Sequence, residues 1–374
     1  MQNFRINRLW AMARKETIQL KRDTRSLILA FLLPVALLMI FGYAISWDVR
    51  DIRTAVLDQD NSAHSRELLD AFRASGYFQF QRYLRRTQEI APLLNGVGTQ
   101  LVLVIPADFS THLNAGRPAQ LQAIVDGSDA NTATIILAYT RAIALSYSLK
   151  VQLQGARLNL PVRVESRVWY NEELLSRNMI VPGLVAVIMM IVAAMLTSLT
   201  IAREWERGTM EQLAATPVSR TEIVLGKLLP YLGIGLADVA ISSLLGVWVF
   251  DVPFRGSAAL FMLLSAFFLI GALGLGIVIS ALGRSQLLAT QVAMLVTFLP
   301  AYLLSGFMYS ISVMPVPLQT LTYLIPARYF IVVTRGIFLK GVGPEVLWVQ
   351  ALLMIVFAVL GLVFAIRVFR KALR

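Results

Sequence analysis

Six stretches of this chain are apolar over the length a helix needs to cross a bilayer, and that limits its fold more than any other feature. They lie at 27–46, 179–201, 224–250, 257–282, 286–306 and 346–366. About 20 apolar residues span the hydrocarbon, where each backbone N–H and C=O must find its partner inside the segment, so helices are required. Composition agrees. Hydrophobic residues make up 57% of the 374 and charged residues 15%, at a mean hydropathy of +0.67. Soluble domains run nearer half apolar and a quarter charged.

The absence of cysteine excludes disulfides and thiolate metal sites. His64 and His112 are too far apart for ligand spacing. Asp58-Gln-Asp60-Asn-Ser62 opens like a calcium loop, but Ala63 stands where the loop needs glycine and Leu69 where it needs a closing carboxylate. The net charge of +12 comes from cations beside apolar segments, which fits lipid headgroups and membrane orientation rather than nucleic acid.

With six crossings, the cation-rich segments fall on one side. These are Arg5 to Arg25, the 202–222 loop with Arg203, Arg207 and Arg220, the turn at Arg284, and the tail with Arg367, Arg370, Lys371 and Arg374. That side is expected to be cytoplasmic. Ala44-Ile-Ser46 imitates a signal cleavage site, but the apolar run is too long and too far from the N-terminus, so an uncleaved anchor is expected. Ile6, Leu9, Trp10, Ala13 and Leu20 fall near one helical face among cations. Residues 1–26 are therefore read as an amphipathic interfacial helix.

The fold expected is an α-helical integral membrane protein with six transmembrane helices. It adds re-entrant helices at 307–345 after the fifth span and an α/β extracytoplasmic domain at 47–177 between the first two spans. In that domain, strands are predicted at Arg53–Leu57, Leu101–Ile105, Leu121–Val125 and Val162–Trp169, and helices at Ser65–Ala74, Ala107–Asn114 and Asn131–Lys150. Turn residues separate them, Asn95-Gly96 among others. The segment 307–345 is broken by Pro315, Pro317, Pro326 and a Gly341–Pro344 cluster. Irregular backbone at membrane depth must line a cavity or lie within protein, and Arg328 and Arg335 are expected towards water.

The 202–222 loop contains two capping-box patterns, Thr209-x-x-Gln212 and Ser219-x-x-Glu222. The first predicts a short helix bearing Met210, Leu213 and Ala214, ended by Thr216-Pro217, whose small apolar face suits a partner's groove. An ordinary structured turn is the alternative. Asp238 lies mid-span, where a carboxylate costs a few kcal/mol and usually faces a cavity or partner. It is read either as a substrate- or cation-contacting group or as a protonated or helix-bonded aspartate at a subunit interface. Ala272, Gly276 and Ser280 form a small-residue stripe that marks helix packing.

Several stretches resemble ABC-2 type transporter permeases. Arg203-Glu-Trp-Glu-Arg-Gly-Thr-Met-Glu-Gln-Leu, Thr216-Pro-Val-Ser-Arg-Thr-Glu and Gly226-Lys227 resemble the loop that presents a coupling helix to the ATPase. Arg14-Lys-Glu-Thr-Ile-Gln-Leu-Lys-Arg-Asp resembles the entry helix. Ile105-Pro-Ala-Asp-Phe and Val125-Asp-Gly-Ser-Asp-Ala-Asn-Thr-Ala resemble the outer domain of large-loop members. Leu304-Ser-Gly-Phe-Met, Met314-Pro and Leu324-Ile-Pro-Ala-Arg-Tyr-Phe resemble the stretch after the fifth span. The resemblance covers nearly the whole chain in order.

It implies an inner-membrane exporter permease that pairs with a second permease, cytoplasmic ABC ATPase subunits carrying ATP and Mg, and a periplasmic membrane-fusion adaptor. The coupling residues it implies are Glu204, Glu206, Arg207, Gly208, Thr209, Met210, Glu211, Leu213 and Pro217. Asp238 and Arg328 are placed on the translocation path. This chain has no Gly-x-x-x-x-Gly-Lys-Ser/Thr, so it is expected to bind no nucleotide or other cofactor itself and to be no enzyme. The alternative function is a mechanotransmission protein that moves an external partner without transporting substrate. An intramembrane hydrolase is disfavoured, because the spans lack a Ser-Lys, paired-Asp or His-Glu-x-x-His arrangement.

Overall fold

The computed structural model describes residues 4–44, 51–94, 98–128, 130–152, 170–171 and 175–369. The predicted strand Val162–Trp169, the Asn95-Gly96 turn and the basic tail from Arg370 lie outside them. The chain forms two compact units, one of residues 46–166 and one of everything else.

The chain begins with α1 (Ile6–Arg22), α2 (Thr24–Leu27), a π turn at Ile28–Leu32 and α3 (Leu33–Ala44). Pro34 explains the π turn. It has no N–H to offer the Ala30 carbonyl four residues back, and Leu33 N–H instead bonds Ile28 O, five back.

The 46–166 unit runs β1 (Ile52–Asp58), α4 (Ala63–Ala74), β2 (Phe78–Tyr83), α5 (Ile90–Leu94), β3 (Leu101–Ile105), α6 (Phe109–Asn114), β4 (Gln122–Val125) and α7 (Ala130–Gln152). Its sheet is ordered β2-β1-β3-β4, parallel except for the β3–β4 pair. Both faces are covered, and β3 reads accordingly as Leu-Val-Leu-Val-Ile without alternation. Leu101, Leu103 and Ile105 pack with Leu68, Phe72 and Phe109, while Val102 and Val104 pack with Ile90 on the other side. The strand β2 was not predicted, although Phe78-Gln-Phe80-Gln carries the period-two signal. The Asp58–Asn61 turn uses its carboxylates internally: Asp58 accepts from Ser65 Oγ at 2.7 Å and Asp60 from Ser110 Oγ at 2.7 Å.

The second unit continues with α8 (Ser176–Glu206), α9 (Met210–Ala215), α10 (Arg220–Trp248), α11 (Ala258–Gly283) and α12 (Gln286–Leu303). It ends with α13 (Val316–Thr322), α14 (Pro326–Arg335), a π turn at Gly336–Lys340 and α15 (Pro344–Val368). Among the described residues, five helices, α8, α10, α11, α12 and α15, are long and apolar enough to cross a membrane. The described part of the predicted first span, Ile28–Ala44, is apolar but shorter. In the predicted re-entrant region, Val316–Thr322 and Pro326–Lys340 meet at a 76° bend. Pro326 imposes it: the residue before a proline avoids helical geometry, and Ile325 is extended at φ −92°, ψ 110°.

The helix α8 forms the centre of the unit, 89% of its most apolar stretch being buried against 22% for α12 and α15. Small residues let its neighbours approach. A Cβ on Gly276 of α11 would stand 2.1 Å from Thr197 Oγ1 of α8. Ser280 Oγ accepts from the Ile201 and Ala202 backbone N–H groups at 3.0 and 2.9 Å, and Ala272 is fully buried. On the other side of α11, Gly274 meets the backbone of Gly361 in α15.

Candidate functional site

The 202–222 segment is held by its ends. The helix α8 terminates at Arg207, after which Gly208 turns left-handed at φ +67°, a geometry glycine adopts without Cβ strain. The short α9 follows and stops at Thr216, which is extended ahead of Pro217. The capping box predicted at Ser219 and Glu222 forms: Glu222 N–H donates to Ser219 Oγ at 3.3 Å, and Ser219 N–H to Glu222 Oε2 at 2.6 Å. The other oxygen of Glu222 accepts from Arg5 N–H at 2.6 Å, fastening the start of α1.

Two expectations for this loop need correcting. The Thr209–Gln212 box does not form, because the Thr209 hydroxyl donates to the Glu204 carboxylate instead. The apolar pair Met210 and Leu213 is not offered to a partner. Both are buried within this chain, at 3% and 5% exposure. What α9 and its flanks expose is polar or small: Arg207, Glu211, Gln212, Ala215, Pro217 and Arg220. Glu206 faces α12, accepting from Gln286 N–H at 2.7 Å, and Arg284 lies over the Trp205 ring at 4.9 Å.

Beneath the loop lies a buried charge cluster. Lys227 of α10 is 1% exposed and donates to Glu16 of α1 at 2.9 Å and to Glu204 of α8 at 3.3 Å. Lys15 donates to the same Glu204 oxygen at 2.8 Å, and Tyr231 OH to Glu16 at 3.3 Å. Two carboxylates thus face two ammonium groups, and buried charge is tolerable only in such balance. Beside it, Arg203 pairs with Asp23 at 2.6 Å, and Ser26 Oγ donates to Asp23 at 2.7 Å. Burial alone would raise the Asp23 carboxyl, but the Ser26 hydroxyl and the Arg203 guanidinium together bring it below its ordinary value. Chemically the cluster is a joint: it fixes α1, α8 and α10 to one another, and Thr209 ties α9 to it.

The joint also alters the expected face of α1. Met12, Ala13, Glu16 and Leu20 are buried, whereas Ile6 and Trp10 are 72% and 70% exposed. Gly226 permits the crossing, since a Cβ there would lie 2.5 Å from Met12 Cβ. Sequence reasoning missed Glu16, Lys15 and Lys227 as cluster members. A usable signal was present, because Lys227 and Asp238 are ionisable residues inside an otherwise apolar segment.

Asp238 is 1% exposed, and neither of its carboxylate oxygens has a hydrogen-bond partner among the described residues. Ser242, one turn on, is likewise buried and unpartnered there. Lys227, Tyr231, Asp238 and Ser242 recur at helical spacing, so the buried face of α10 carries polar groups from the joint to mid-span. Arg328 does not join Asp238. It donates to Thr322 Oγ1 and lies over the Tyr323 ring at 4.0 Å, bracing the α13–α14 bend. Arg335, expected towards water, turns inward, donating to the carbonyls of Met179 at 3.2 Å and Gly306 at 3.4 Å. Gly183 of α8 makes room for the Phe307 ring and for this guanidinium, which a Cβ there would meet at 2.6 and 3.2 Å.

The model of the family described as "ABC-2 family transporter protein" matches residues 25–367. The chain is 38% identical, over 94% of both sequences, to the probable multidrug ABC transporter permease YbhS of Escherichia coli K12. It is 34% identical to the probable multidrug ABC transporter permease YbhR of the same organism, over 92% of this chain and 93% of the other. Similarity extends to the inner membrane transport permease YhhJ of that organism, 27% identical over 85% of each. These matches accord with the resemblance carried by the 202–222 loop. The chain belongs to the ABC-2 family of transporter proteins, as a multi-pass permease subunit of the inner membrane.

Proposed function

We propose that this chain is the membrane permease of an ATP-driven exporter, with 202–222 as the segment through which a separate cytoplasmic ABC ATPase drives it. The observation that carries this reading is the joint under α9. Glu204 accepts from Lys15, Lys227 and Thr209 at once, so a push on α9 is delivered to α1, α8 and α10 together rather than absorbed in a loop. The exposed Glu211, Gln212 and Arg207 are the surface the ATPase reads. In this reading both termini and the 202–222 loop are cytoplasmic, and 47–177 is extracytoplasmic, where a periplasmic adaptor engages it. Two permeases assemble around two ATP-binding domains.

Substrate passes between the paired subunits. The relatives named as multidrug permeases, together with the unpartnered Asp238, favour amphipathic cationic compounds. The test is the complex purified from its native membrane with its ATPase and reconstituted in vesicles. ATP-dependent accumulation of a cationic dye inside inverted vesicles, with dye-stimulated hydrolysis, is the expected result. Hydrolysis indifferent to any compound, with no accumulation, would favour a mechanotransmission device instead.

A further inference from the structure

We propose that the crease between α1 and α10 is a binding site for an anionic phospholipid, with Arg14 and Lys21 on its phosphate and Ile18, Leu229 and Pro230 along an acyl chain. The crease is a groove of about 650 Å³ whose lining includes these residues and Trp10. Positions 10, 14, 18 and 21 recur at the spacing of one helical face, so α1 carries apolar and cationic groups alternately along the groove. Trp10, Ile18 and Leu229 are 70%, 44% and 41% exposed, a large apolar surface for residues flanking a membrane-crossing helix.

Charge selects the occupant. The acidic residues near this face are already paired, Glu16 with Lys227 and Asp23 with Arg203. Arg14 and Lys21 therefore have no ion pair among the described residues, although Lys15 between them is bound to Glu204. A guanidinium and an ammonium two turns apart, above an apolar floor, match a phosphodiester headgroup with its chain rather than a zwitterion. An exposed tryptophan beside them suits the headgroup depth of a bilayer. Free phosphate would satisfy the cations and leave the apolar floor uncovered. The site also bears on the joint, since Arg14, Lys15 and Glu16 are consecutive and reach the groove, Glu204 and Lys227 in turn.

The experiment uses the full chain in mixed micelles containing phosphatidylglycerol or phosphatidylcholine with brominated acyl chains. Trp10 fluorescence is read as the difference between the wild type and Trp10→Phe. Phosphatidylglycerol is expected to quench Trp10 at a mole fraction about 25-fold lower than phosphatidylcholine, roughly fivefold for each of the two cations. Arg14→Gln with Lys21→Gln should abolish that preference, whereas Arg22→Gln, an exposed cation outside the groove, should keep it. Should the double variant fold poorly, inorganic phosphate added to the wild type serves as the second measurement and should leave the quenching unchanged. Equal quenching by the two lipids, an undiminished preference in the double variant, or displacement by inorganic phosphate would each overturn the proposal.

Discussion

Lys227 donates to Glu16 across 2.9 Å with both side chains essentially out of solvent, although the two residues are 211 positions apart in sequence. The pair joins the N-terminal helix to α10, and Glu204 completes it from α8. Removing one member of such a set leaves its partners charged and buried, which typically costs about 3–5 kcal/mol. Lys227→Met should therefore lower the unfolding temperature of the solubilised chain sharply. Lys227→Met with Glu16→Leu should recover most of the loss. A single variant as stable as the wild type would show that the charges contribute nothing.

Gly208 sits at φ +67° with open space around it, so the constraint is backbone geometry rather than room. Gly208→Ala should cost about 1–2 kcal/mol locally, and Gly208→Asn less. In the reconstituted complex, the alanine variant should keep membrane insertion and ATP hydrolysis but lose most substrate accumulation. Full transport would remove the coupling role from this turn.

The exposed and buried faces of α9 should separate. Leu213→Asp places a charge at a buried position and should reduce the amount of folded protein recovered. Glu211→Lys alters only an exposed position and should leave yield and unfolding temperature unchanged while weakening co-purification of the ATPase. Normal ATPase recovery with Glu211→Lys would mean that the partner reads another surface.

Asp238 is buried with no hydrogen-bond partner for either carboxylate oxygen among the described residues, which disfavours the folded chain. Asp238→Leu, close in volume, should raise the unfolding temperature and abolish uptake of a cationic substrate. Loss of stability would instead point to a partner for the carboxylate in the assembled complex.

Close packing predicts a sharp contrast between two glycines. Gly276→Ala directs a Cβ to 2.1 Å from Thr197 Oγ1 and 2.4 Å from the Ala194 carbonyl, so α8 and α11 must part, at about 1–3 kcal/mol or more. Gly233→Ala on α10 meets nothing within 4 Å and should be neutral to slightly stabilising, by up to about 1 kcal/mol. The two unfolding temperatures provide the comparison.

Acid should loosen the α1–α8 contact. The Asp23 carboxyl lies below its ordinary value of 3.8 in the folded chain. Its contribution is therefore present above about pH 4 and lost as pH falls through the folded value. Unfolding temperature measured downward from neutral pH should decline less steeply at the acid end in Asp23→Asn. Parallel curves would exclude Asp23 as a source of acid sensitivity.

Much of the architecture was legible in order along the chain, because its signals are local. Apolar length marked the crossing helices, Pro326 marked the broken region, and Ser219-x-x-Glu222 marked the start of α10. Strands β1, β3 and β4 followed from short apolar runs between turn residues. The same local reasoning failed at Thr209, where a capping pattern existed but Glu204 took the hydroxyl. It also failed at Arg335, whose backbone partners come from α8 and from Gly306.

By itself the sequence determined a membrane protein with an inserted α/β segment and a structured 202–222 loop, because hydropathy, capping and proline geometry act over a few residues. Only the tertiary structure decided that Glu16, Lys15, Glu204 and Lys227 balance one another beneath that loop, and that Met210 and Leu213 turn inward. A sequence records which residues can carry charge. Which of them can afford burial depends on partners brought within about 3 Å by helix packing, and small side chains such as Gly226 and Gly276 decide how closely those helices can pack.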